Sequence, residues 1–349
     1  NIVNWNTKFG KDHSLGVMGL FSAVYGNSEN YQWVTTGAMA KTDWFNMGTG
    51  TFNADDSKSS YTESSMLSYA LRANYGYKDK YLLTATVRWD GSSKFADGHK
   101  WGSFPSVAAA WRVTEENFMK KLDWISNLKL RVAYGVTGNN TGIGNYETQQ
   151  TVSGPVYYPF GNKTYSGFYP SGIVDKLLSW ESSHEYNFGV DFGFLNNRLN
   201  GTVDIYQKDS YDLLAKVKLP LVSGGEEMKT NIGKVRNKGI EVTLNTVNVQ
   251  NKDWYWTTTL TWAHNSNTVK DINGTGNDMP GDNLFIGHPY NNVYQYEWAG
   301  IVTDRDMIVP NTDIAKLKGF TPGEKVKEYD YYYNCYGWTE GQAIITDRN

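Results

Sequence analysis

The feature that most constrains this chain is a two-residue alternation of apolar and polar side chains that recurs along most of its length. Successive side chains of a β-strand point to opposite faces, so such alternation predicts strands with one apolar face. In 81–90 one face reads Tyr81, Leu83, Ala85, Val87 and Trp89, and the other Leu82, Thr84, Thr86, Arg88 and Asp90. From Leu128 the apolar face is Leu128, Leu130, Val132, Tyr134 and Val136, with Lys129 and Arg131 opposite. From Tyr186 it is Tyr186, Phe188, Val190, Phe192 and Phe194, with Asn187 and Asp191 opposite. The same pattern marks segments near 3–9, 14–25, 66–76, 105–113, 199–207, 238–248 and 254–263, which makes ten. The charges, among them Lys8, Arg72, Arg88, Arg112, Lys129, Arg131, Asp191, Asp204 and Glu241, fall on the opposite side. A lysine or arginine facing hydrocarbon costs about 2–4 kcal/mol at mid-membrane, so a charge-free face suits a wall against lipid and a charged one suits a wet interior. A soluble β-sandwich alternates as well, with its apolar face against a second sheet.

The connections separate the two cases. Gly10–His13, Tyr77–Lys80, Leu195–Arg198 and Gln250–Asp253 read as short polar hairpin turns. Thr114–Asn127 is a longer connection on the same side, with a helical turn expected through 115–119. The other connections are long: roughly 26–65, 90–104, 137–183, 208–237 and everything from 264. Short turns at one end and long loops at the other are the asymmetry of an outer-membrane barrel, periplasmic against extracellular. Aromatics near strand ends (Tyr25, Tyr75, Trp89, Trp111, Trp124, Trp254, Trp262) suit its interfacial girdles. The expected fold is therefore all-β, an antiparallel transmembrane β-barrel, with strands over 1–263 and a mostly extracellular loop region of the same barrel over 264–349.

Composition agrees: 349 residues, 15% aromatic, with 25 Tyr, 13 Trp and 35 Gly, are strand and turn formers. The net charge of −3 argues against a nucleic-acid partner. No apolar run is long enough for a membrane helix, and a single cysteine, Cys335, excludes an internal disulfide framework. Residue 1 falls inside a strand-like pattern with no signal peptide ahead of it, which reads as an interior piece of something longer. Catalytic signals are missing. The five histidines are scattered without zinc-site spacing. Glu181 and Glu185 on one strand face would stand about 13 Å apart, too far for a glycosidase pair. No nucleophile elbow or phosphate loop occurs. An enzyme is not expected.

Two stretches are more specific. One is Arg88-Trp89-Asp90-Gly91-Ser92-Ser93-Lys94-Phe95 with Trp101-Gly102-Ser103-Phe104-Pro105-Ser106 and, beyond, Leu128–Asn139. The other runs from Leu178-Ser179-Trp180-Glu181 through Gly189–Leu199 and Tyr211-Asp212-Leu213-Leu214 to Asn231–Glu241. Together they resemble the SusC/RagA family of TonB-linked outer-membrane transporters, closely over about 60–262 and more weakly to Pro322-Gly323. The stretch from Tyr329 departs, with Tyr331-Tyr332-Tyr333-Asn334-Cys335-Tyr336 where the family has an Asp/Gly-rich segment. The resemblance implies part of a plugged barrel of about 22 strands. It also implies TonB-energised import of an oligosaccharide or peptide with a SusD-like surface lipoprotein, TonB being engaged through parts outside these residues. The alternative class is a passive porin-like or soluble sugar-binding β protein. Within the motifs, Gly91 and Gly138 are expected at positive φ in turns, and Gly239 at a bulge or a close backbone approach.

For ligand contact the candidates are loop aromatics, whose flat faces stack on sugars or pack on peptide side chains: Trp33, Trp44, Tyr157, Tyr158, Phe160, Tyr165, Phe168 and Tyr169. Packing of the loops on one another or on a partner competes with that role. No cofactor is expected. Asp271, Asn273 and Asp282 weakly follow a calcium-loop spacing, but Thr275 takes a ligand position and no helix flanks it, so a plain polar loop is the favoured reading.

Overall fold

A computed structural model of the chain describes residues 1–37, 47–224, 227–293 and 297–346. They fall into two compact units, Asn1–Tyr290 and Asn291–Asn349. The first contains β1 (Ile2–Phe9), β2 (His13–Thr36), β3 (Thr51–Tyr77), β4 (Tyr81–Ser92), β5 (Trp101–Arg112), β6 (Ile125–Asn139), β7 (Val152–Phe160) and β8 (Lys163–Pro170). It continues with β9 (Glu181–Phe194), β10 (Leu199–Lys218), β11 (Glu227–Gln250) and β12 (Tyr255–Asp271). Ten of these form one antiparallel sheet in the order β1-β2-β3-β4-β5-β6-β9-β10-β11-β12, while β7 and β8 pair only with each other. The ten are the ten segments predicted by alternation.

Burial in the sheet is the reverse of a soluble protein's. On β4, Tyr81, Leu83 and Trp89 are exposed while Thr84, Thr86 and Arg88 are partly buried. Leu71, Val132, Phe188, Ile205, Leu260 and Trp262 are likewise exposed on their strands. Aromatic rows frame this apolar face. His13, Tyr77, Tyr81 and Trp111 succeed one another across β2 to β5 at ring separations of 4.9, 6.3 and 6.4 Å. Eight residues further along β3, Tyr69 lies 5.3 Å from Phe21 and 6.0 Å from Trp101. Eight residues span roughly 27 Å of strand, which a tilt near 40° shortens to about 20 Å, close to the apolar band of an outer-membrane barrel.

The short connections are the expected hairpins. Lys78 and Asp79, and then Leu195, Asn196 and Asn197, hold left-handed φ between 52° and 59°, and Gly10 sits at 63°. In the longer connection the expected helical turn is replaced by two 3-10 turns, Val113–Glu115 and Met119–Lys121. The long connections hold more ladder than the alternation suggests. The β2–β3 pairing continues to Thr36↔Thr51 and the β10–β11 pairing to Lys218↔Glu227. Past the membrane Ser, Thr, Asn and Tyr occupy both faces; strand pairing persists after the apolar stripe that signals it has ended.

The second unit comprises β13 (Glu297–Ile301), β14 (Asp306–Ile308), α1 (Asp313–Leu317), β15 (Lys325–Lys327), α2 (Glu328–Tyr336) and β16 (Ala343–Thr346). Val309, Ala315, Tyr331 and Cys335 form its core. Beside that core, buried Glu328 accepts bonds of 2.9 and 2.6 Å from Arg305 and of 2.9 and 2.8 Å from the N–H and hydroxyl of Thr303. Burial acts to raise this carboxyl's pKa, and the arginine and threonine donors outweigh it, holding the group below its ordinary range.

The face assignment predicts that Val132→Lys, on the apolar side, lowers the folding stability of the protein in lipid vesicles by about 2–4 kcal/mol, while Thr84→Lys on the polar side is tolerated. Equal loss for both, measured by denaturant titration in vesicles, overturns the assignment.

Candidate functional site: the polar face and the loop end

Register builds the polar face. Lys129 on β6 lies opposite Asp191 on β9, Arg131 opposite Gly189, and Gly189 in turn opposite Asp204 on β10. Lys129 Nζ stands 2.9 Å from Asp191, and Arg131 reaches Asp191 at 2.8 Å and Asp204 at 3.1 Å. A Cβ on Gly189 would come within 2.6 Å of both Arg131 Nη2 and Asp204 Oδ1, so only glycine lets the arginine cross the intervening strand. The alternation had put Lys129, Arg131, Asp191 and Asp204 on one side. Their convergence depends on the register of three strands, which period-two patterning leaves open.

At the turn end, one carboxylate gathers three donors. Glu116 accepts from Tyr81 Oη at 2.7 Å, Lys80 Nζ at 3.0 Å and Trp111 Nε1 at 3.2 Å. Tyr81 leads the donors that hold its pKa below the ordinary value.

At the loop end, Phe95, Phe104, Ile143, Leu178 and Trp180 make a buried cluster. Trp180 lies 5.0 Å from Phe95 and 5.3 Å from Phe104, and donates Nε1–H to the Lys100 carbonyl at 3.0 Å. The shared motifs are the frame of this cluster. Arg88 grips buried Asp90 at 2.7 Å, Asn140 donates to Ser92 at 3.2 Å, and the Ser65 N–H donates to Ser93 at 2.8 Å. Gly91 and Gly138 are not at positive φ as expected. Each instead makes room for a ring: a Cβ on Gly91 would meet Trp101 at 2.8 Å, and one on Gly138 would overlap Phe104. Gly239 is a close approach, as expected, with the Tyr206 ring 2.6 Å from where its Cβ would be.

The loop between β6 and β9 carries the β7–β8 hairpin and with it six of the candidate aromatics. Tyr158 pairs with Tyr165, their rings stacked 6.3 Å apart, and Phe160 meets Tyr165 edge-on at 6.5 Å. By alternation Tyr169 shares that face, and Tyr157 and Phe168 lie on the other. All six are exposed, Tyr157 at 70% and Phe160 at 75%, while Tyr158 and Tyr165, stacked on each other, are about half covered. The hairpin stands on a polar base tied to β11. Lys229 contacts Glu147 at 3.0 Å and the Gly142 carbonyl at 2.6 Å, Thr230 donates to Asp175 at 2.5 Å, and Asn231 brackets the Ser179 backbone. Burial acts to raise the Glu147 pKa; the Gly144 N–H and Lys229 prevail and hold it below the ordinary 4.5. Trp33 lies on the separate β2–β3 hairpin, edge-on to Phe52 at 6.5 Å. Trp44 lies outside the described residues.

In the calcium-like segment, Asp271 accepts the Gly274 N–H at 2.8 Å and Asn273 accepts the Thr275 hydroxyl at 2.7 Å, while Asp282 closes a 3-10 turn. Among the described residues no group of three or more His, Cys, Asp or Glu side chains converges for a metal.

A sheet with a predominantly apolar outer face framed by aromatic rows, a polar inner face, short turns and long loops is a section of an outer-membrane β-barrel wall. Residues 1–321 match the family model described as TonB dependent receptor-like, beta-barrel. The chain belongs to that family, on its SusC/RagA-like branch, and is an outer-membrane protein. It is 37% identical over 256 residues to TonB-dependent receptor SusC of Bacteroides thetaiotaomicron, covering 68% of this chain and 25% of that one. To TonB-dependent receptor P39 of Formosa agariphila it is 35% identical over 251 residues, covering 72% and 24%. Among solved structures, the RagAB peptide importer in its closed-closed state superposes with a TM-score of 0.75 at 26% identity, over 93% of this chain and 35% of that one. These residues thus span only about a quarter to a third of such proteins, whose family is one of transporters and receptors rather than enzymes.

Two outcomes follow for the loop end. Trp180→Ala removes the centre of its cluster and costs about 3–5 kcal/mol of local stability. Limited proteolysis should then cut 140–180 while the barrel keeps its heat-modifiable migration. Because the folded Glu147 pKa is depressed, its contribution is complete above about pH 4.5 and is lost as pH falls through the folded value. Protease sensitivity of the same loop should rise on acidification, and Lys229→Ala should weaken that dependence, since the Gly144 N–H bond to Glu147 remains.

Proposed function

We propose that this chain forms wall and extracellular loops of an active importer that carries an oligosaccharide or peptide across the outer membrane. In this reading the polar face, with Lys129, Arg131, Asp191 and Asp204, lines a wet passage. The exposed aromatics of the β7–β8 hairpin meet substrate or the partner at its mouth. A SusD-like surface lipoprotein works with the loops, and energy comes from a TonB complex acting on parts of the protein beyond these residues. The observation that carries the reading is the pairing of a lipid-compatible outer face with a charged inner face in a chain of the TonB-dependent family. The RagAB structures, described as a peptide importer, support an oligomeric cargo.

A strain lacking the gene should lose growth on one or a few members of a panel of glycans and peptides. Restoring the gene with Tyr158→Ala and Tyr165→Ala together should return the protein to the membrane but cut uptake severalfold. Unchanged growth of the deletion strain on the whole panel sinks the import reading. Uptake that persists when the inner-membrane energy source is collapsed marks a passive pore instead.

A further inference from the structure

The outer face is not uniformly suited to lipid tails. Across five strands, Ala109, Val132, Phe188, Ile205 and Ile240 form one apolar row with His264 at its end. The next row toward the loops reads Val107, Tyr134, Tyr186, Gln207, Lys238 and Ser266. These two rows line a groove of about 780 Å³, the large Tyr134 and Tyr186 rings standing beside small Ala109. Tyr134 is fixed by a 2.8 Å hydrogen bond to His184 Nδ1.

The groove's apolar floor ends where charge begins. One row further, Arg236 is neutralised by Asp209, bonded at 2.5 and 3.0 Å, and Gln207 also donates to that carboxylate at 2.9 Å. Lys234 faces Asp271 across the ladder. Lys238 is exposed, and among the described residues it has no ion-pair partner. Lys238 thus stands at the loop-side edge of the hydrocarbon band, directly above an apolar groove, and the carboxylate it influences, Asp209, is already bonded to Arg236.

We infer that this groove binds one outer-leaflet lipid bearing a phosphate headgroup, an acyl chain lying along Val132, Phe188, Ile205 and Ile240 and the phosphate meeting Lys238, with Gln207, His264 and Ser266 as polar neighbours. An unpaired ammonium at a membrane surface attracts anionic headgroups, and an aliphatic groove below it takes the tail that every such lipid carries. The inference needs only the outer-membrane location and is independent of what is imported.

The test uses the intact membrane protein that carries these residues, purified and washed in mild detergent. Bound lipid is read by native mass spectrometry, then rebinding is measured in phosphate-free detergent micelles containing lipid A or dephosphorylated lipid A, with inorganic phosphate as competitor. The protein should retain phosphorylated lipid, and Lys238→Gln should cut retention roughly fivefold, since one surface lysine contributes about that factor. Ala109→Phe fills the groove without touching charge and should cut retention as well, heat-modifiable migration showing that both variants fold. Equal retention by Lys238→Gln, equal binding of dephosphorylated lipid, or displacement by inorganic phosphate alone would each overturn the assignment. Substrate uptake by both variants separates its failure from failure of the import reading.

Discussion

Within hydrocarbon a backbone N–H or C=O has no water to bond, so each must find its partner in a neighbouring strand. That requirement organises the sheet. Ten strands run antiparallel in nearly unbroken order, and the excursion of β7 and β8 occurs only in the loop, outside the apolar band. Because a one-residue slip would turn an apolar face inward and a charged one outward, the two-faced pattern fixes register as strongly as the hydrogen bonds do. Registers then bring Lys129, Arg131, Asp191 and Asp204 together, and a glycine at 189 lets the bridge form.

The two ends of the sheet are stabilised differently. At the turn end, left-handed Asn and Asp residues reverse the chain in a few steps, and Glu116 ties β4, β5 and the following turn through three donors. At the loop end, a small aromatic core around Trp180 does the same work by burial. The β6–β9 loop thus has a packed base and an exposed tip. The base is held by β11 through Lys229 and Asn231, and the tip presents Tyr157, Tyr158, Phe160, Tyr165, Phe168 and Tyr169 to the medium.

Much of this was legible in the sequence, for a specific reason. Inside the membrane, burial chemistry differs so sharply between faces that alternation marks every strand of the sheet. Beyond the membrane both faces meet water, so the ladder of 26–36 with 51–65 carried no apolar stripe and read as loop. The β7–β8 hairpin was missed likewise: Tyr157-Tyr158-Pro159-Phe160 places rings on both sides. Gly91 and Gly138 read as turn glycines because the rings that need their missing side chains, Trp101 and Phe104, approach from neighbouring segments of the fold. The aromatic candidates already divide between the long connections 26–65 and 137–183 in the sequence; what it leaves open is the β7–β8 register that sets Tyr158 against Tyr165.

The cluster around Arg131 has a consequence for whatever moves along that wall. Within the cluster two cations offset two carboxylates, and Glu241, across the ladder from Asp204, adds one more acidic group to the same face. In the proposed passage a solute at that height would meet paired charges that hold one another in place, with one acidic side chain beside them.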